Sequence, residues 1–136
     1  MPQFATSEKL SAHMRRIRKT DTKPELVVRR LTHSIGYRYR LHRRDLPGTP
    51  DLVFPSRRKV IFVHGCFWHQ HDCKLGRKKP STNTEYWHPK LARNVARDKE
   101  SRRRLSELGW GVLVIWECET QAPSQLTARI QEFLSS

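Results

Sequence analysis

The chain has 136 residues, with 27 Lys and Arg against 13 Asp and Glu, so its formal net charge is +14. A basic excess of this size favours a polyanionic partner, above all a nucleic acid, although solubility and an acidic protein partner are alternative explanations. No apolar run approaches the roughly 18 residues of a membrane-spanning helix, and the first residues lack a secretory pattern, so we expect a cytoplasmic protein with no membrane partner.

Hydrophobic periodicity predicts a single domain over residues 1–136. In chain order, the predicted elements are a helix or DNA-contacting arm within residues 1–20, a helix over 22–35, strands over 37–41, 51–54 and 60–63, a long helix over 84–108, a strand over 111–117 and a helix around 126–133. The strand over 111–117 is an unbroken apolar run, which favours the centre of a sheet. This order predicts an α/β fold with three layers, α/β/α, and a mixed central sheet.

The segment from His64 to Cys73 concentrates histidines, cysteines and aromatic residues directly after a predicted buried strand. Three cysteines are an odd number, which argues against a disulfide framework and favours metal ligation. Three thiolates and one imidazole form a standard structural zinc site. The predicted zinc ligands are Cys66, His71, Cys73 and Cys118. His69 and Asp72 are alternatives to His71, and the alternative to a metal site is a set of free, partly buried thiols beside surface histidines.

Carboxylates and histidines that suit phosphodiester hydrolysis surround the same segment. Asp51 begins the strand that pairs with the strand leading to His64, and it is the predicted Mg²⁺ ligand. Either His64 or His69 then transfers the proton. Glu25 is first a capping-box residue and second a metal-site carboxylate, whereas Asp98 is a candidate for orienting a histidine. The ordinary alternatives are a turn aspartate for Asp51 and a solvated helix-face carboxylate for Asp98.

Two adjacent aromatic residues, Phe67 and Trp68, lie inside the predicted metal loop. A core role is possible for one of them, but burying both is difficult beside polar ligands. Insertion of aromatic side chains between base steps would explain the pair. Met14, on the basic N-terminal segment, is a third candidate for insertion, with simple packing as its alternative.

These motifs occur together in one order along the chain. The ordered set comprises Thr22–Glu25, Leu46–Asp51, Phe62–His69, His71–Cys73, Asn83–Trp87 and Trp116–Cys118. It resembles the very-short-patch repair (Vsr-type) DNA mismatch endonucleases over residues 7–120. Such enzymes nick one strand 5′ to the thymine of a T:G mismatch, which arises when 5-methylcytosine deaminates. Their fold is similar to that of type II restriction endonucleases of the PD-(D/E)xK superfamily.

The resemblance also implies roles for the residues identified above. It implies Mg²⁺ on Asp51, support of the metal water shell by Glu25, and action of His64 and His69 on water and the scissile phosphate. It implies zinc on the cysteine set and intercalation by Phe67, Trp68 and Met14. Double-stranded DNA with a T:G mismatch is the implied substrate, with general mismatch-repair proteins and a repair polymerase as further partners. A monomer in the bacterial cytoplasm, associated with the nucleoid, is expected.

The sequence departs from the superfamily pattern at the second core strand. Phe62–His64 stands where ordinary restriction enzymes carry an acidic residue and a lysine, and Val63 stands where some relatives have Thr. The first difference fits the repair branch, and the second is harmless if only the backbone of Val63 contacts the metal. Two alternative functions remain: a structure- or sequence-specific nuclease of the same fold outside mismatch repair, and a non-catalytic zinc-containing DNA-binding module.

Overall fold

The computed structural model describes residues 22–73 and 84–136. Its elements are α1 (Lys23–Ser34), β1 (Arg40–Leu41), β2 (Leu52–Phe54), β3 (Lys59–His64), α2 (Thr84–Glu107), β4 (Gly111–Trp116) and α3 (Pro123–Ser135). Short 3₁₀ helices at Pro55–Arg57 and Glu117–Gln121 follow β2 and β4. None of the described helices combines the length and apolar character needed to cross a membrane. The predicted N-terminal arm, with Met14, lies outside the described residues.

The four strands form one sheet in the order β1-β2-β3-β4. β2 pairs antiparallel with both β1 and β3, whereas β3 and β4 run parallel and are connected through α2. The predicted mixed α/β arrangement is therefore confirmed. Because β3 and β4 are parallel and pair from Lys59–Gly111 to His64–Trp116, the segments that follow His64 and Trp116 leave the sheet side by side.

Helices cover both faces of this sheet. The strand residues that point to either face are apolar, so each face packs against a helical layer. On one face, the core includes Val28 of α1, the strand residues Leu52, Ile61 and Ile115, and Ile130 of α3. On the other face, it includes Val53, Val60, Phe62 and Leu105 of α2. β2 and β3 each contribute to both cores and pair on both sides, so these two strands form the centre of the sheet.

The prediction that the 111–117 strand lies at the sheet centre is wrong for the described part of the chain. β4 pairs with β3 along one side, and Ile115 is its buried residue. Its continuous apolar pattern arises because Leu113 and Ile115 face one helical layer while Val112 and Val114 face the other. A strand covered on both faces is apolar throughout, whatever its position in the sheet order.

The predicted 37–41 strand is shortened to Arg40–Leu41. Tyr37 and Tyr39 instead pack against the core below α1 and α3 without joining the strand ladder. The strand ends at Leu41, and the next residue, His42, has a φ of +49°, in the left-handed region, which turns the chain out of the sheet.

The basic cluster at 57–59 serves the fold. Arg57 donates to the carbonyl of Leu134 at 2.9 Å, and Lys59 donates to that of Phe133 at 2.6 Å. Arg58 donates to the carbonyl of Leu108 at 2.8 Å, just beyond α2. Carbonyl groups at helix C-termini lack intrahelical partners and carry partial negative charge. These three side chains therefore cap the ends of α2 and α3, one on each face of the sheet.

Candidate active site and metal centre

Three clusters of metal-ligand and proton-transfer side chains lie where β3 and β4 end and β2 begins. Their members are Glu25, His42 and Asp51; His64, His69 and Asp98; and Cys66, His71, Cys73 and Cys118. Within each cluster, the possible ligand atoms lie within 4.8 Å of one another. The structure thus brings the predicted zinc ligands together and divides the predicted catalytic residues between two neighbouring groups.

In the carboxylate cluster, Asp51 and Glu25 approach from different elements. Asp51 Oδ2 accepts a hydrogen bond from the backbone N–H of Val63 on β3 at 2.7 Å. Glu25, in the first turn of α1, is 1% exposed, and its Oε2 accepts from Arg29 and from His42 Nε2, the latter at 2.8 Å. His42 Nε2 is also 4.0 Å from Asp51 Oδ1. Because Val63 takes part through its backbone, its side chain does not enter this contact.

Glu25 also has part of the capping role expected of it. Its backbone N–H donates to Thr22 Oγ1 at 3.4 Å, and Pro24 occupies the first turn. Its carboxylate is turned into the cluster, where it meets His42 and Arg29. Thr22 therefore caps the start of α1 through the backbone of Glu25, and the side chain of Glu25 belongs to the carboxylate cluster.

The ionisation of Asp51 is opposed by its surroundings. Burial raises the pKa of this carboxyl from 3.8 to about 7, against the opposing effect of the Val63 N–H, and the nearby Glu25 carboxylate raises it further. A buried anion without a compensating cation is costly. The cluster would be relieved by a bound cation, and carboxylate oxygens are the ligands that Mg²⁺ prefers.

The histidine cluster joins the metal loop to α2. His69 Nδ1 is hydrogen-bonded to Asp98 Oδ2, and His64 Nε2 lies 4.0 Å from Asp98 Oδ1. The two imidazole rings stack with their centroids 3.8 Å apart. The predicted contact between Asp98 and a histidine is therefore present, and it selects His69. A cavity of about 180 Å³, lined by both histidines, Asp98 and Arg102, opens beside them.

His64 is the more enclosed of the two histidines. Its side chain is 7% exposed, and Nδ1 is buried without a hydrogen-bond partner among the described residues. Burial, with a contribution from His69, lowers its pKa to about 3. The imidazole of His64 is therefore neutral at physiological pH.

The cysteine cluster has the dimensions of a tetrahedral zinc site. Cys66 Sγ and Cys118 Sγ each lie 3.6 Å from His71 Nδ1. Zn–S bonds of about 2.3 Å and Zn–N bonds of about 2.0–2.1 Å, at a tetrahedral angle, separate sulfur from nitrogen by about 3.6 Å. Without a cation, burial raises the pKa of the Cys66 thiol to about 12. The four side chains therefore fit zinc, with Cys118 arriving from the end of β4.

One residue separates the two histidines that belong to different clusters. Gln70 has a φ of +52°, in the left-handed region. The turn is held by hydrogen bonds from His69 N to Gly65 O at 3.1 Å and from His71 N to Cys66 O at 2.9 Å. His69 thereby contacts Asp98, while His71 contacts the cysteines and stacks on Trp116 with ring centroids 4.2 Å apart.

The adjacent aromatic residues belong to a larger ring cluster. Phe67 and Trp68 are half-buried, and both contact buried Trp87 of α2, with centroids 5.5 and 5.4 Å apart. Exposed Tyr86 lies against Trp87, and Lys90 Nζ lies 5.9 Å from the Trp68 ring centroid. Neither residue of the pair is fully buried, so both keep some exposed surface. Met14 lies outside the described residues.

Sequence analysis missed two residues of the site, His42 and Arg102. The only sequence signal of His42 is its position after a strand, which carries no chemical information, and it meets Glu25 from 17 residues away. Arg102, beside the histidines, was likewise hidden in a basic run on α2.

Comparisons with known proteins give consistent similarities. Residues 3–75 match the family described as DNA mismatch endonuclease Vsr. The type II nicking enzyme V.XorIIP of Xanthomonas oryzae pv. oryzae is 53% identical, over 89% of this chain and 88% of the relative. DNA mismatch endonuclease Vsr of Escherichia coli K12 is 43% identical, over 91% and 82%. The type II nicking enzyme V.NmeAIP of Neisseria meningitidis serogroup A is 39% identical, over 88% and 84%. Each similarity extends over most of both chains.

Proposed function

Because this chain belongs to the Vsr family of DNA mismatch endonucleases, we propose that it nicks one strand of duplex DNA 5′ to the thymine of a T:G mismatch. Such a mismatch forms when 5-methylcytosine deaminates, and the nick would start very-short-patch repair. We also propose that the chain has the restriction-endonuclease-like fold of the PD-(D/E)xK superfamily. This fold would be a single domain of three layers.

The observation that supports hydrolysis best is the arrangement at the end of β3. The backbone N–H of Val63 binds Asp51, and the next residue, His64, stacks on His69, which is bonded to Asp98. A buried carboxylate and a histidine–aspartate pair thus meet at consecutive positions of one strand. Phosphodiester hydrolysis needs charge neutralisation and proton transfer side by side, and these two groups are suited to supply them.

We assign Mg²⁺ to the carboxylate cluster, with Asp51 as a direct ligand and Glu25 as the acceptor for its bound water. When bound there, Mg²⁺ would neutralise charge on the phosphate and increase the acidity of the attacking water. The fit rests on the high pKa of metal-free Asp51 and on the carboxylate donor set.

We assign proton transfer to His69. Because Nδ1 faces Asp98, Nε2 is left to take the proton from water, and Asp98 fixes the orientation of the ring. His64, neutral and enclosed, is assigned to hydrogen bonding beside it.

Zinc on the cysteine cluster is assigned a structural role. It would tie the loop that carries His69 to the end of β4, because Cys118 follows that strand. Four protein ligands leave no open position, as in structural zinc sites.

Recognition of the mismatch is assigned to the aromatic pair. A wobble pair costs less to unstack than a Watson–Crick pair, so inserted rings gain discrimination from the lower deformation energy. Phe67 and Trp68 rest on Trp87, which would brace them during insertion. Met14 remains a proposed partner in insertion.

A nicking assay tests this function. Duplexes with one T:G pair, or T:A at the same position, are labelled on each strand in turn and incubated with Mg²⁺ across varied flanking bases. We expect a cut in the T strand of T:G duplexes alone. We also expect the active species to be a monomer, because one nick needs one active site. Equal cutting of T:A duplexes would favour a nuclease outside mismatch repair, and binding without cutting would favour a non-catalytic module.

A further inference from the structure

His42 enters the carboxylate cluster through an unusual backbone conformation. It follows β1 with a φ of +49°, which residues other than glycine seldom adopt. Its backbone N–H donates to the carbonyl of Asp51 at 3.3 Å, so the end of β1 is tied to the start of β2. Non-glycine residues held in this region cluster at functional sites, where the surrounding structure maintains them.

The side chain of His42 joins the sheet to α1. Oε2 of Glu25 accepts from Arg29 and contacts His42 Nε2 at 2.8 Å. A carboxylate only accepts hydrogen bonds, so we assign the hydrogen of this contact to Nε2 of His42. Arg29 lies on α1 itself, four residues from Glu25, so this contact joins two residues of the same helix. The contact from His42 joins the Glu25 carboxylate to the end of β1, where the backbone N–H of His42 is bonded to the carbonyl of Asp51.

We propose that His42 is a positioning residue for the nicking reaction, in which its Nε2–H holds the Glu25 carboxylate beside Asp51. The inference rests on the proposed function and extends it. In this proposal His42 acts only by donating a hydrogen bond to Glu25, and it contacts neither the metal nor the DNA. Supporting groups of this kind typically change metal affinity or activity by about 10–100-fold when they are removed.

A matched pair of variants tests the hydrogen bond. His42→Gln keeps an N–H donor, whereas His42→Leu removes it at similar size. Mn²⁺ binding to zinc-loaded, DNA-free protein is measured by calorimetry, with melting temperature as a check on folding. We expect Leu to weaken Mn²⁺ binding by about 10–100-fold and Gln to stay within a few-fold of the parent. Equal losses in both variants, or none in either, would overturn the proposal. If the Leu variant does not fold, His42→Ala replaces it.

A double-mutant cycle tests the route through Glu25. In a Glu25→Gln background, His42→Leu should cause no further loss of Mn²⁺ affinity or of nicking rate, because the carboxylate it orients is gone. Full additivity of the two losses would overturn the assignment.

The Mn²⁺-binding measurement distinguishes a failure of this inference from a failure of the proposed function. A parent chain that binds Mn²⁺ in a His42-dependent way but leaves T:G duplexes intact supports the positioning contact and refutes the nicking proposal. A chain that nicks T:G duplexes, while both His42 variants bind Mn²⁺ like the parent, refutes the positioning contact alone. Absence of saturable Mn²⁺ binding by the parent would also overturn it.

Discussion

Asp51→Asn should make the Mg²⁺-free protein more stable while abolishing the proposed nicking activity. The carboxyl is 15% exposed, and burial raises its pKa from 3.8 to about 7. Between pH of about 4 and 7, the native state therefore holds a proton that the unfolded state has released. Stability falls with rising pH wherever the native state binds more protons, so this carboxyl destabilises the native state increasingly up to about pH 7.

The size of the effect follows from the pKa difference. A difference of one in pKa corresponds to about 1.4 kcal/mol. With the pKa of Asp51 raised from 3.8 to about 7, the destabilisation above pH 7 reaches at most about 4 kcal/mol. Asparagine does not ionise, so Asp51→Asn should match the parent near pH 4 and exceed it by about 1–4 kcal/mol at pH 8.

Urea unfolding followed by tryptophan fluorescence at pH 5 and pH 8 measures the difference. Mg²⁺ is removed by dialysis, because a strong chelator would also compete for zinc. Asp45→Asn is the control, since that carboxyl is exposed and Arg43 lowers its pKa, so the change should be small and of opposite sign. Mg²⁺ added at pH 8 should stabilise the parent and leave Asp51→Asn unchanged. A parent as stable as Asp51→Asn at pH 8 without Mg²⁺ would refute the reasoning, and nicking at the parental rate would refute the active site.

The other predictions concern zinc, recognition, proton transfer and charge. Metal analysis should find one zinc per chain, and Cys118→Ser should lose both the zinc and thermal stability; a zinc-free, normally folded parent would contradict this. Trp68→Ala should weaken binding to T:G duplexes by about 1–3 kcal/mol and to matched duplexes far less, in a fluorescence titration. His69→Ala should retain zinc and DNA binding but nick about 10²–10⁴-fold more slowly in single-turnover assays. Arg58→Gln should cost about 1 kcal/mol in urea unfolding while leaving the salt dependence of DNA binding unchanged, because its guanidinium caps α2.

The site could be predicted where chemistry is local in the sequence. The proposed zinc ligands Cys66, His71 and Cys73 lie within one loop, and the structure brings them together with Cys118. The strand pairing that brings Asp51 to the end of β3 followed from two short apolar runs joined by a turn. The sequence did not indicate which histidine contacts Asp98. In the structure, His69 is the residue hydrogen-bonded to it.

Features that depend on long-range packing could not be predicted. His42 reaches Glu25 only because β1 ends beside α1, and nothing near His42 in the sequence records that. The edge position of β4 is hidden by helices that make both of its faces apolar. The capping role of the basic residues 57–59 was also hidden, because their carbonyl partners are 50 or more residues away in the sequence.

The left-handed conformation of Gln70 has a consequence for how this loop tolerates change. A single dihedral angle keeps two chemically identical side chains, those of His69 and His71, in different environments. The two histidines are only two residues apart in the sequence. Their proposed roles therefore differ because their side chains point in different directions. An insertion or deletion at Gln70 would rotate one imidazole away from its cluster, so the length of this loop is as constrained as its ligands. A loop that varied freely in length could not serve hydrolysis and metal binding from neighbouring residues.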